Sequence, residues 1–411
     1  MKKRIAMLLS LMLVVSLAAC GKATERKEII VWNAGIQTSD PTGTVEKEDL
    51  PVYHLISEFE ASHPEYTVTL VDYGMDDLIK AFTSANMAKK GPDMVAMWAG
   101  SSTLSFQDYL VDFSQYLSDD ERAQLDVSSL LHKNNNSSEE LVGLTFGMPS
   151  TFIMYYNTEI FKENNLEAPE TWSELIEVSK TLKDKGITPM VVGDKDGYTS
   201  TWAVSSLLAN LLGPDTIRHM APNGSVSLSG SEFTQAMETW KSYVDDGYVS
   251  PDYITKGDGD AVQDFVQGKG AMLIHGNWSA TEYEAMGNNV DVVRIPVIEN
   301  APFTDYMVSQ PNINLAVTNY SDKIDATVEF AKMLVDPEFT VKTNETMYAL
   351  PVGSRLVGKS DGFASEGKNV TGFDSIISAE AANEFYKLAP TYLSGKINLS
   401  DLSKKLDDLN K

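Results

Sequence analysis

Short runs of β-branched and aliphatic residues alternate with longer stretches whose apolar positions recur every three or four residues. Ile29-Ile30-Val31-Trp32 reads as a buried-type strand. Asp49-Leu50-Pro51 opens a helix carrying Val52, Leu55, Ile56 and Phe59 on one face, and His63-Pro64 stops it. The alternation over residues 66–73 predicts a second strand, and residues 76–89 a helix with Leu78, Ile79 and Phe82 inward. Gly91-Pro92 then punctuates before a third strand, Asp93-Met94-Val95-Ala96-Met97-Trp98. A βαβαβ order with short connections implies a parallel sheet covered by helices, so the chain is of the α/β class. No internal repeat is visible, and the polar patch at residues 133–140 reads as an exposed loop.

The pattern continues beyond Phe146. Thr151-Phe152-Ile153-Met154-Tyr155-Tyr156-Asn157 is a strand by its β-branched and aromatic content. Thr171 and Glu174 are spaced as a capping box at the head of a helix. Residues 186–192 predict another strand. Phe233, Met237, Trp240 and Val244 keep helical spacing up to Gly247, and Asp260 precedes a short helix through Val262 and Phe265. Gly268-Lys269-Gly270 turns into a strand over residues 271–277 that ends at Trp278.

Composition narrows the class. A chain of 411 residues, 43% hydrophobic and 22% charged, is long enough for two or three domains with real cores, and is neither disordered nor polytopic. Its 33 Lys and Arg stand against 58 Asp and Glu, a net charge of −25, with no basic stripe for phosphates, so nucleic acid is not a partner. Residues 1–19 join Lys2, Lys3 and Arg4 to an apolar run and small residues, the layout of a secretory signal and too short for a stable span. Leu17-Ala18-Ala19-Cys20 resembles the bacterial lipobox. It implies cleavage before Cys20, acylation of that thiol with a diacylglyceryl group and of the new amino terminus with a chain such as palmitate, and a lipidated tether over residues 20–27. The expected location is outside the bacterial cell membrane, held by lipid alone. Cys20 is the single cysteine, which excludes an internal disulfide.

The six tryptophans sort by position. Trp240 sits on an apolar helix face and Trp172 beside a helix cap, and both read as packing. Trp32, Trp98 and Trp278 each end a predicted strand, and Trp202 follows Gly197-Tyr198-Thr199-Ser200-Thr201 at a helix start. Each alone could be a lid over the core. Together, at strand ends of an open sheet, they predict stacking platforms along a cleft.

Catalysis finds little support. The pairs Asp119-Asp120, Asp245-Asp246 and Asp407-Asp408 lie in helix ends or polar runs and read as solvated. The five histidines show no metal spacing, and His275 reads as a packed strand residue. Asp258-Gly259-Asp260 begins like a calcium loop but lacks the later Gly and the terminal Glu, so a turn with a helix cap is expected. No catalytic residue, metal or cofactor is assigned.

One resemblance spans nearly the whole chain. Its motifs are the Cys20 lipobox, Tyr156-Asn157-Thr158-Glu159-Ile160-Phe161, residues 169–175, Gly186-Ile187-Thr188-Pro189 and Phe265-Val266-Gln267-Gly268-Lys269-Gly270-Ala271-Met272 with Gly276 and Trp278. They continue with residues 326–334 and Leu350-Pro351. In this order they resemble an extracellular solute-binding lipoprotein of an ABC importer, in the carbohydrate-binding, maltose-binding-protein-like group. The resemblance implies a two-lobed, type II-like binding-protein fold with a multi-strand hinge. Residues 28–146 and 310–349 would form lobe 1, and residues 147–309 and 350–411 lobe 2.

It also implies that a solute sits between the lobes, with Tyr156, Trp278 and Trp98 matching positions that meet sugar in relatives. Sugar suits the residues: pyranose C–H faces pack on aromatic rings, and hydroxyls need partners such as Asn33, Asp40, Ser101 and Asn277 near the strand ends. Relatives often carry a carboxylate soon after the strand at Trp98, whereas this chain has Ala99-Gly100-Ser101-Ser102, so no particular sugar carries over. The expected partners are a carbohydrate and ABC permease subunits, with the binding protein itself a monomer. The alternatives are a lipoprotein for peptides or polyols, or a glycan-active enzyme.

Overall fold

The computed structural model describes residues 26–39, 46–124, 130–133, 140–147, 149–284, 286–336 and 368–411, together with Phe339, Leu356, Lys359 and Phe363. The leader, Cys20, Asp40, Leu350-Pro351 and most of the polar patch at 133–140 lie outside the described residues.

Alternation along three strands divides the first lobe into two cores. Strands β1 (Lys27–Asn33), β2 (Tyr66–Asp72) and β3 (Met94–Trp98) pair in parallel, with Ile29 opposite Val68 and Val31 opposite Met94. Ile29, Val31, Met94 and Ala96 point to one face, under Val52, Leu55, Ile56 and Phe59 of the helix Pro51–Ser62 and Phe330 and Leu334 of the helix Ile324–Leu334. Val95 and Met97 point to the other, under Leu78, Phe82 and Ala85 of the helix Met75–Ala88. The parallel arrangement expected from the βαβαβ order stops at β3. Its far neighbour is a strand from late in the chain, β10 (Ile313–Val317), which runs antiparallel to β3 on one side and to β5 (Leu141–Phe146) on the other. With β4 (Leu130–His132) at the edge, the six-stranded order is β2-β1-β3-β10-β5-β4.

The second lobe is organised about β6 (Ser150–Asn157). It pairs antiparallel with β7 (Met272–Gly276), β8 (Val290–Arg294) and the end of β9 (Tyr306–Gln310), while β11 (Lys368–Val370) lies parallel to β9. Phe152, Met154, Met272 and Ile274 face the larger core, built from the helices Trp172–Asp184, Tyr198–Ile217, Ser231–Asp245, Ala379–Leu393 and Leu399–Leu409. Ile153, Tyr155 and Leu273 face a smaller core closed by the helix Asp258–Val266 and Tyr283. The Thr171/Glu174 capping box forms as its spacing predicts. The strand expected over 186–192 is reduced to single bridges from Met190 to Val249 and Met272. Pro189 has no N–H to give a ladder, which limits pairing there.

Among the described residues, two crossings join the lobes side by side. Residues 147–149 lead from β5 to β6 and residues 311–312 from β9 to β10; Phe146 pairs with Ile313 before them and Ser150 with Gln310 after. The Thr151 and Ser309 hydroxyls, 3.0 Å apart, tie the two chains on the lobe 2 side. Among the described residues, no helix is long and apolar enough to cross a membrane.

Candidate functional site

Where the lobes face each other they enclose a cavity of about 450 Å³. Lobe 1 contributes Gly35, Ile313 and the turn that follows β3; lobe 2 contributes an aromatic wall and two carboxylates; the crossing residues Gln310, Pro311 and Asn312 form the floor. The turn after β3 is fixed by its backbone. Ala99 N–H donates to Asn312 O at 2.9 Å and the Thr103 hydroxyl to Trp98 O at 2.8 Å, which holds Trp98, Ser101 and Ser102 at the rim.

The aromatic wall is a contact chain. Tyr198 and Trp202 lie one helical turn apart and stack at 6.2 Å with 17° between planes. Trp202 meets Trp278 edge-on at 5.5 Å, and Trp278 meets Phe152 at 6.1 Å. Trp278 follows Asn277 in a single turn after β7, folded back across Gly276. A methyl group at Gly276 would come within 1.8 Å of Trp278 Cζ3, so the ring occupies the space a side chain would need. The helix bearing Tyr198 and Trp202 is anchored from beneath. Trp240 Nε1–H donates to Ser200 Oγ at 2.9 Å, and the Ser200 hydroxyl donates to Asp194 Oδ2 at 2.5 Å, while Ser200 N–H reaches Asp194 Oδ1. Asp194 is fully buried, and burial pushes its carboxyl up to about 7 against those two hydrogen bonds.

Two further acids line the cavity. Asp258 opens the helix Asp258–Val266, its Oδ2 3.0 Å from Nε2 of the buried His275. Asp374 is buried and accepts from the Tyr386 hydroxyl at 3.1 Å. Burial raises its carboxyl to about 6 and also drives the Tyr386 hydroxyl well above its ordinary value. Beside them the lobes touch: the Ser101 hydroxyl donates to Asp374 O at 3.0 Å, and Gly100, at φ +70°, lies so close to Ser375 that a methyl group there would sit 2.8 Å from Ser375 Cβ and O.

The residues named from sequence divide clearly. Trp98, Ser101, Trp202 and Trp278 meet in the cavity. Trp32 does not: it packs on Tyr73 at 5.1 Å and Phe82 at 6.4 Å, because its place in β1 turns it to the sheet face covered by the helix Met75–Ala88, opposite to the face Trp98 takes. Asn33 is buried with its amide committed, accepting from Gly35 and Ile36 N–H and donating to Ile36 O and Asp72. Asn277 is equally occupied, stapling Thr151 N–H and Pro149 O at the crossing. Tyr156 lies at the far end of β6 against Phe161, away from the cavity. The residues passed over are Asp258, Asp374, Tyr198 and Tyr386. Of these only Asp258 carried a signal, as the first residue of the acidic turn; Asp374 and Tyr386 come from the C-terminal segment and reach the cavity through topology. Among the described residues, no group of side chains could hold a metal ion.

The profile of the bacterial extracellular solute-binding protein family matches residues 45–340. The chain is 25% identical over 330 residues to a maltodextrin-binding protein of Bacillus subtilis, covering 74% of this chain and 70% of the relative. It is 23% identical over 317 residues to an sn-glycerol-3-phosphate-binding periplasmic protein of Brucella abortus, covering 73% and 71%. A structure solved in work on xylan utilization by Caldanaerobius polysaccharolyticus superposes with a TM-score of 0.78 at 23% identity, over 93% of this chain and all of that one.

Proposed function

This chain belongs to the bacterial extracellular solute-binding protein family, and from that premise we propose that its interlobe cavity captures a sugar or oligosaccharide and delivers it to an ABC permease. The observation that carries the reading is the cavity wall. Trp98, Trp202, Trp278, Tyr198 and Tyr386 offer flat apolar area, interleaved with the hydroxyls of Ser101 and Ser102, the amides of Gln310 and Asn312 and two carboxylates. Pyranose C–H faces fit the former and its hydroxyls the latter. The maltodextrin-binding relative supports the same class. The family binds solutes and does not transform them, so the two carboxylates serve as hydrogen-bond acceptors. A thermal-shift screen of the mature protein against mono- and oligosaccharides tests the reading. A true ligand at a hundredfold excess over its Kd stabilises by about 2.7 kcal/mol, and a flat response across the panel would sink it.

The anchor belongs to the same proposal. Cys20, the only cysteine, sits where a lipobox would place the acylated residue, and two acyl signals give a hold that one chain cannot. The protein then works as a tethered monomer at the outer face of the cell membrane. The proposal extends to the lobes, with residues 28–146 and 310–349 in one and 147–309 and 350–411 in the other; the gathering of β1 to β5 and β10 in one sheet, and of β6 to β9 and β11 in the other, supports it.

A further inference from the structure

Among the described residues that line the cavity, Asp258 and Asp374 are the only charged ones, and no Lys or Arg joins them. The protein does little to neutralise either. Asp374 has a neutral donor, the Tyr386 hydroxyl, and the ion-pair reach of Asp258 extends only to His275. Holding two carboxylates in a partly buried site without a cation is costly, and a solute that brings protons to the cavity-facing side of either acid offsets part of that cost on binding. The aromatic rings around the acids present negative π-faces and add to the same field. Family membership leaves the charge of the solute open, since one relative takes its name from a phosphate ester.

We propose that Asp258 and Asp374 set the charge class of the solute. They admit a neutral or amine-bearing saccharide, whose hydroxyl or ammonium protons reach the carboxylates, and they turn away one that carries a carboxylate or phosphate. The inference rests on the sugar reading above. In a cavity this small an anionic group sits within several ångströms of both acids, and at an effective dielectric near 20 such repulsion weakens binding on the order of tenfold to a thousandfold.

The test uses the mature protein at pH 7.5 and calorimetric titration with neutral malto-, cello- and xylo-oligosaccharides. Each is paired with a counterpart bearing a uronate and another bearing a free amine. The expected result is that the binding neutral member loses at least about tenfold on gaining a uronate and nothing on gaining an amine. Asp258→Asn and Asp374→Asn, singly and together, should narrow the uronate gap. Asp258→Asn keeps the test valid should the more deeply buried position fail to fold. A uronate that binds the unaltered protein as well as its neutral partner overturns the proposal and leaves the sugar reading standing. So does a gap that survives both substitutions. A panel with no binder at all removes the sugar reading, and this inference falls with it.

Discussion

At the scale of single residues, two tryptophans of the same lobe, one fully buried and one half-buried, do opposite work. Trp240 is fully enclosed and hydrogen-bonded to Ser200, whereas Trp278 lies across Gly276 with its ring on the cavity. Trp240→Ala should lower stability by about 3–5 kcal/mol, as truncation of a core aromatic does. Trp278→Ala should cost about 1–3 kcal/mol of sugar affinity while the protein still melts cooperatively. Titration and melting of both variants decide it, and the assignment fails if the two effects are exchanged. Gly276 gives a sharper check. Its φ of −102° and ψ of 166° suit any residue, so Gly276→Ala is resisted by space, and the three atoms nearest the added methyl all belong to the Trp278 ring. The substitution should weaken binding about as much as losing the ring, yet add almost nothing in a Trp278→Ala background. Additive losses in that double-mutant cycle would show the ring is not what the glycine accommodates.

Elements carry the positioning. The helix Tyr198–Ile217 brings Tyr198 and Trp202 to the cavity, and its first turn is tied through Ser200 to Asp194 and Trp240. The carboxyl of Asp194 rises from 3.8 to about 7 because burial penalises its charge. Folding therefore favours the protonated form: the stabilisation is complete below about pH 4 and is lost as pH rises to about 7. At about 1.4 kcal/mol per pH unit the loss approaches roughly 4 kcal/mol. Urea midpoints measured from pH 4.5 to 8 should fall for the native protein relative to Asp194→Asn, and parallel curves would contradict this account. Elements were also where the sequence was most readable. Period and capping placed the helix with the Thr171/Glu174 box and the strands β1, β2, β3 and β6, because each is decided by neighbours in the chain. Trp32 misled because strand position does not tell which face a side chain takes. Asp374 and Tyr386 stayed hidden because no local pattern brings residues of the C-terminal segment against the turn at Gly100 and Ser101.

For the whole molecule, the question is how two lobes become one site. The contact of Gly100 and Ser101 with Asp374 and Ser375 bridges the lobes beside the crossing residues, one residue from the Ala99–Asn312 hydrogen bond. Gly100→Ala adds a methyl against Ser375 and places a side chain at a backbone conformation (φ +70°, ψ −138°) that favours glycine. Small-angle scattering of the sugar-free protein should report a larger radius of gyration, and sugar binding should weaken. Unchanged values for both would remove this contact from any role in closure. Cys20→Ala should release the protein from the membrane fraction with sugar affinity intact; retention after mild washing would refute the lipid tether.

The place of β10 has a consequence in time. It is the strand that joins β3 to β5, yet it lies at residues 313–317, after every strand of the second lobe except β11. A chain emerging amino end first presents β1, β2 and β3, then β5, with an empty lane between β3 and β5. Nothing in the first three hundred residues can fill that lane. Most of the other lobe must appear before the first can finish its sheet, so the early part of the polypeptide has no complete native structure to fall into while the rest is still arriving. In that late strand the chain carries a built-in delay between the appearance of its first lobe and the completion of that lobe's sheet.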